Sequence, residues 1–102
     1  MSNWLEVGTV DDIPSLGARV VQYNNSNIAV FRTKDDEVFA ILDECPHKKG
    51  HLSQGIVHDK TVTCPLHNWK IDLQTGQAKA PDEGCARNFP VKVDDKTIFI
   101  EV

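Results

Sequence analysis

Arg19-Val20-Val21-Gln22, Ile28-Ala29-Val30-Phe31-Arg32 and Val38-Phe39-Ala40-Ile41-Leu42 decide the fold. They are three short runs rich in Val, Ile and Phe, parted by Asn24-Asn25-Ser26-Asn27 and by Thr33-Lys34-Asp35-Asp36-Glu37. β-Branched and aromatic residues suit a pleated, half-buried surface, and Asn- and Asp-rich breaks of this length suit hairpin loops. The pattern predicts consecutive antiparallel strands. Thr61 to Thr63, Phe89 to Val93 and Thr97 to Val102 continue it, the last two joined by Asp94-Asp95-Lys96. No window of about eleven residues keeps an apolar i, i+3, i+4, i+7 stripe. The nearest candidate, Val10 to Leu16, contains Pro14 and allows one short turn at most. The expected class is all-β, a sandwich or small barrel.

A length of 102 residues predicts one domain spanning 1–102. Hydrophobic residues at 40% and charged residues at 25% exclude a disordered or collagen-like chain. A net charge of -4 argues against nucleic acid, because phosphate binding needs a basic surface. Met1-Ser2-Asn3-Trp4-Leu5-Glu6 has neither the basic nor the apolar region of a signal peptide, and the longest apolar run is Val38 to Leu42. No membrane span is expected. Three cysteines are a poor basis for a secreted disulfide framework and suit a cytoplasmic protein whose thiols bind metal or stay free.

Two stretches break the strand rhythm, Asp43 to Gly55 and Cys64 to Asn68, both rich in Cys, His, Pro and Gly. Leu73 to Gln77 reads as a turn and Ala80 to Gly84 as a third irregular segment. The first two carry Cys45-Pro46-His47 and, after sixteen intervening residues, Cys64-Pro65-Leu66-His67. Thiolate and neutral imidazole are ligands that iron and zinc accept, and short spacing lets one loop deliver two at low entropic cost. Structural zinc knuckles usually pair Cys with Cys and His with His. Here each pair is mixed, as a centre with one thiolate-held and one imidazole-held iron requires. Zinc in a non-redox interaction module is the alternative from another class.

C-x-H, sixteen residues, C-x-x-H resembles the Rieske 2Fe-2S motif. Gly50, Leu52 and Gly55 after the first box, and Thr75-Gly76 and Pro81 after the second, extend the resemblance over nearly the whole chain. It implies three small antiparallel sheets with a two-loop cluster-binding tip, the cluster-binding portion being about 43–82. It also implies that Cys45 and Cys64 hold the inner iron, and His47 and His67 the outer one. Within that family, the text from Cys45 to Gly50, from Cys64 to Ile71 and from Ala80 to Cys85, with the Trp4 to Val7 opening, is most similar to the small subunit of assimilatory NAD(P)H-dependent nitrite reductase. The resemblance then implies an electron-transfer subunit acting in reduction of nitrite to ammonium, with a large subunit carrying flavin, a 4Fe-4S cluster and sirohaem. A free Rieske ferredoxin supplying an aromatic-ring oxygenase is the alternative on the same site. In either case the chain itself shows no nucleophile elbow, phosphate loop or carboxylate pair, so no catalytic site is expected on it.

High-potential relatives carry a disulfide between the cluster loops and hydroxyl donors just after the second box. This chain has Gly50 and Leu66, and Trp69 and Ile71, at those places. Fewer donors predict a potential at the low end of the Rieske range of about -150 to +300 mV. The oxidised cluster with its two thiolates carries about zero net charge and reduction adds about one negative charge. Lys48, Lys49 and Lys70 are expected to form a positive rim around it, suited to an acidic partner. Gly50, Gly55 and Gly76 read as shape residues needed for positive φ and close backbone approach. Pro81 reads as either a turn proline or a cover over the cluster. His51 and His58 read as solvated or loop-packing imidazoles, Cys85 as a small buried hydrophobe, and Trp4 and Trp69 as packing residues.

Overall fold

The computed structural model describes residues 3–44, 51–64, 69–79 and 84–102. Among them lie β1 (Trp4–Thr9), β2 (Ala18–Tyr23), β3 (Ser26–Arg32), β4 (Val38–Leu42), β5 (Ile56–His58), β6 (Thr61–Thr63), β7 (Lys70–Asp72), β8 (Asn88–Phe89), β9 (Val91–Asp94) and β10 (Thr97–Glu101). Short 3-10 turns occupy Val10–Asp12 and Leu52–Gln54. The strands pair antiparallel in three small sheets, ordered β1-β10-β9, β2-β3-β4-β8 and β5-β6-β7. The architecture is all-β, as expected.

The three opening runs form the middle sheet, and its burial explains why they are so apolar. Successive side chains of a strand point to opposite faces. Ile28 and Val30 of β3 pack with Val7, Ile98 and Ile100 of the β1-β10-β9 sheet, while Ala29 and Phe31 pack with Val57, Val62 and Ile71 of the β5-β6-β7 sheet. All four β3 residues are buried, so the alternation expected of a half-exposed strand gives way to a continuous apolar run. Burying a side chain the size of Phe31 contributes stability that truncation to Ala would reduce by about 3–5 kcal/mol.

The run Phe89 to Val93 is not one strand. β8 pairs with β4 and β9 with β10, and the chain changes sheets at Pro90 between them. Proline has no N–H for a ladder, so the break falls where pairing would stop in any case. β1, β5 and β7 lie outside the runs recognised from sequence. β1 contains a bulge between Glu6 and Gly8, with Gly8 at φ 113, which interrupts its alternation. β5 and β7 are three residues each; β5 ends on a polar His58, and β7 sets Ile71 between Lys70 and Asp72.

Val10 to Leu16 gives its one 3-10 turn, tied down by Arg32. The Arg32 guanidinium donates to the carbonyls of Val10 at 3.2 Å and Ile13 at 2.8 Å, and to Asp36 Oδ1 at 2.9 Å from Nε. Among the described residues no helix is long and apolar enough to cross a membrane.

Candidate metal centre

Segments 45–50, 65–68 and 80–83 lie outside the described residues, and the chain on both sides of each is held by backbone hydrogen bonds or turns. At the first, the backbone N–H of Leu42 donates to the Arg87 carbonyl at 2.7 Å and that of Asp43 to the Asn27 carbonyl at 2.8 Å, fixing the end of β4. The far side begins at His51 and passes into the Leu52–Gln54 turn, whose Leu52 is wholly buried. At the second, the Cys64 N–H donates to the Trp69 carbonyl at 2.7 Å, so β6 and β7 close the base of 65–68 as a hairpin does. At the third, the Lys79 N–H donates to the Lys70 carbonyl and the Ala78 N–H to the Gly84 carbonyl, both at 2.8 Å. The second and third bases thus share β7.

The first and second bases meet at Gly55. A Cβ there would collide with the Thr63 carbonyl oxygen and come within 2.9 Å of Val62 Cγ2. Gly55 has φ -78, so it serves the close approach and not the positive φ expected of it. Gly76 meets both expectations, with φ 80 and the Ala86 carbonyl where its Cβ would stand.

Of the four expected ligands, Cys64 is described; Cys45, His47 and His67 fall in the segments outside the description. Cys64 follows the last residue of β6, is fully buried, forms no disulfide, and shares a core cluster with Leu52, Ile71 and Ala86, against which Trp69 and Ala78 pack. A thiolate in apolar surroundings is costly unless a metal takes its charge. A soft-donor centre shared with a second loop therefore fits what Cys64 presents. Among the described residues no further group of three or more His, Cys, Asp or Glu side chains could hold an ion.

The spare imidazoles are turned to other work. His58 Nε2 lies 3.1 Å from Thr63 Oγ1 across the β5-β6 hairpin, and His51 Nδ1 lies 3.5 Å from Asp43 Oδ2. Cys85 corrects its expected burial: it is exposed. It pairs with Gln77 in an isolated bridge, and alternation puts its neighbour Ala86 inward in its stead. Trp4 is also more exposed than a packing residue, at 41%, with the Lys92 ammonium 5.1 Å from its ring. Lys70, the first residue of β7, is exposed; Lys48, Lys49, Gly50, Leu66 and Pro81 lie outside the described residues.

The carboxylate of Asp43 was not singled out by sequence. It is 2% exposed, and it accepts the Ser53 backbone N–H at 2.7 Å and the Ser53 hydroxyl at 2.9 Å. The available signal was an Asp closing an apolar strand two residues before a Cys, a place where a charge has to be paired.

Residues 3–90 match the family model of the Rieske [2Fe-2S] domain. The 3-phenylpropionate/cinnamic acid dioxygenase ferredoxin subunit of Photorhabdus laumondii is 41% identical over 100 residues, 96% of this chain and 93% of that one. Among solved structures, the ferredoxin of carbazole 1,9a-dioxygenase from Nocardioides aromaticivorans superposes with a TM-score of 0.86 at 27% identity, covering 96% of each chain. A protein provisionally assigned as the small subunit of an NADPH nitrite reductase superposes with a TM-score of 0.85 at 28% identity, covering 96% of this chain and 97% of that one.

Proposed function

The chain belongs to the Rieske [2Fe-2S] family, and on that premise we propose that it is the ferredoxin that delivers single electrons to the oxygenase of an aromatic-ring dioxygenase system. Its cofactor is a Rieske 2Fe-2S cluster, which takes up one electron and passes it on; the chain is an electron carrier. Cys45 and Cys64 would hold the inner iron and His47 and His67 the outer one. For Cys64 the fit rests on its burial and its place beside the closed base of 65–68. Leu52, in the apolar cluster that holds Cys64, and Trp69, packed against it, would keep water from the thiolate side. One domain over 1–102 and residence in the cytoplasm complete the proposal.

The observation that carries the dioxygenase assignment is the 41% identity over 96% of the chain with a dioxygenase ferredoxin subunit. It displaces the nitrite reductase small subunit as first choice. Shape does not discriminate between the two, since the superpositions score 0.86 and 0.85. The nitrite reductase assignment, with a flavin, 4Fe-4S and sirohaem partner, is the second reading, supported by that structural likeness and by the Ala80 to Cys85 text.

The test is a reconstitution in which the cluster-loaded chain is the sole link between an NADH-driven reductase and either partner. Support of cinnamate dihydroxylation by a cinnamate dioxygenase oxygenase, with no stimulation of nitrite-dependent NAD(P)H oxidation by a nitrite reductase large subunit, is the expected result. The reverse pattern would overturn it.

A further inference from the structure

Asp43 ends the apolar run of β4 and stands two residues before Cys45. Three bonds fix it. Its N–H is held by Asn27 of β3, and its two carboxylate oxygens take the N–H and the hydroxyl of Ser53, ten residues on. A buried acceptor left unfilled is expensive, and Ser53 fills both oxygens from one residue. His51 Nδ1, on a side chain 59% exposed, approaches the same Oδ2 at 3.5 Å. The described chain before segment 45–50, at Asp43, and after it, at Ser53, is therefore tied by one side chain. Gly55 then passes this fixed frame on to β6, because it seats directly on the Thr63 carbonyl that precedes Cys64.

From these contacts we infer that Asp43 is a positioning residue for the cluster, closing the base of segment 45–50 before any iron is present. The inference rests on Cys45 and His47 being the ligands proposed above. Closing a loop of this size has an entropic cost that is otherwise met from metal binding. With Asp43 on Ser53 the ends are already joined, and the ligand pair is presented from a frame set by the protein. Removal of the clasp should therefore weaken cluster retention by roughly tenfold or more.

The experiment uses the full chain, iron-free and cluster-loaded, as wild type, Asp43→Asn, Asp43→Ala and Ser53→Ala. Ile98→Ala, in the core on the other side of the middle sheet, is the reference at matched global stability. Hydrogen exchange reads the Ser53 amide in the iron-free protein, while bleaching of the visible absorbance and the paramagnetic resonance of the reduced protein read the cluster. Expected results are a protected Ser53 amide in iron-free wild type and near-wild-type behaviour of Asp43→Asn, whose amide accepts from the Ser53 N–H and donates to its hydroxyl. Asp43→Ala should lose amide protection and lose its cluster, each by roughly tenfold or more relative to the reference. If Asp43→Ala fails to fold, Ser53→Ala, which deletes the hydroxyl arm alone, should still bleach faster than the reference. An unprotected Ser53 amide in iron-free wild type would overturn the inference. So would Asp43→Asn behaving like Asp43→Ala, or both alanine variants keeping the cluster as long as the reference. Full iron and an unaltered signal in Cys45→Ser would instead overturn the ligand assignment, and leave the exchange result standing.

Discussion

The carbonyl oxygen of Thr63 occupies the space that a Cβ on Gly55 would need. One residue beyond Thr63 is Cys64, and Gly55 caps the Leu52–Gln54 turn, so this contact sets how closely that turn approaches β6. Gly55→Ala must push β6 away. Overpacking of this kind costs about 1–3 kcal/mol. Chemical unfolding of the iron-free protein should show that loss, and the cluster-loaded variant should have an altered resonance spectrum. A variant as stable as wild type would mean the backbones separate freely there.

Cys64 and Cys85 should part company on substitution. Cys64→Ser should abolish the resonance signal of the reduced protein, and should also lower the stability of the iron-free chain by about 1–3 kcal/mol, since a hydroxyl is buried in an apolar cluster. Cys85→Ser, at an exposed position, should keep full iron and sulfide content and change stability by no more than about 0.5 kcal/mol. Iron and acid-labile sulfide analysis of both variants checks this.

Asp12 gives the fold a small acid-side dependence. The Thr9 backbone N–H, 3.0 Å from Oδ2, holds its carboxyl below the ordinary value of 3.8. The Thr9 side chain and the Arg19 guanidinium at 3.6 Å act in the same direction, against a partial desolvation. A depressed carboxyl stabilises the fold above its unfolded value, and that contribution is lost as pH falls through the lower folded one. Asp12→Asn should therefore be less stable than wild type near neutrality, with the gap closing below 3.8. Unfolding midpoints of the two proteins across that range give the answer; a gap independent of pH would remove the carboxylate from the account.

The midpoint potential should lie below about +100 mV, in the lower part of the family range. The reason is sequence-borne: Gly50 and Leu66 cannot form a loop disulfide, and Trp69 and Ile71 carry no hydroxyl. Ile71 is in addition fully buried and faces the core. Protein-film voltammetry measures it directly.

Charge reversal of the expected rim is the docking test. Lys48→Glu with Lys49→Glu should slow electron delivery to the partner and flatten its salt dependence, since rim charges act mainly on association. Stopped-flow reduction over a series of ionic strengths is the measurement.

What sequence could show of this fold was set by length of run and by alternation. The apolar runs Ile28 to Phe31 and Val38 to Leu42 were visible because β3 and β4 are covered on both sides. Lys70-Ile71-Asp72 was not, because charged residues flank its one buried side chain, whereas the equally short Thr61 to Thr63 is β-branched throughout. The expected ligand set rests on a spacing of residue types, and of its four members the described residues include Cys64. The clasp beneath it was hidden, since a bond between Asp43 and Ser53 is made by folding and leaves no local pattern. Cys85 failed for a related reason: which of Cys85 and Ala86 turns inward depends on the pairing with Gln77.

The middle sheet, with an apolar core on each face, makes the molecule two-ended. Cys64 belongs to one core, and Trp4, Lys92 and Phe99 cluster on the far sheet beyond the other. The β1-β10-β9 end can thus serve as a handle. A surface linker, an electrode attachment or a fusion joint grafted there would leave the end that holds Cys64 free, with the middle sheet between the two.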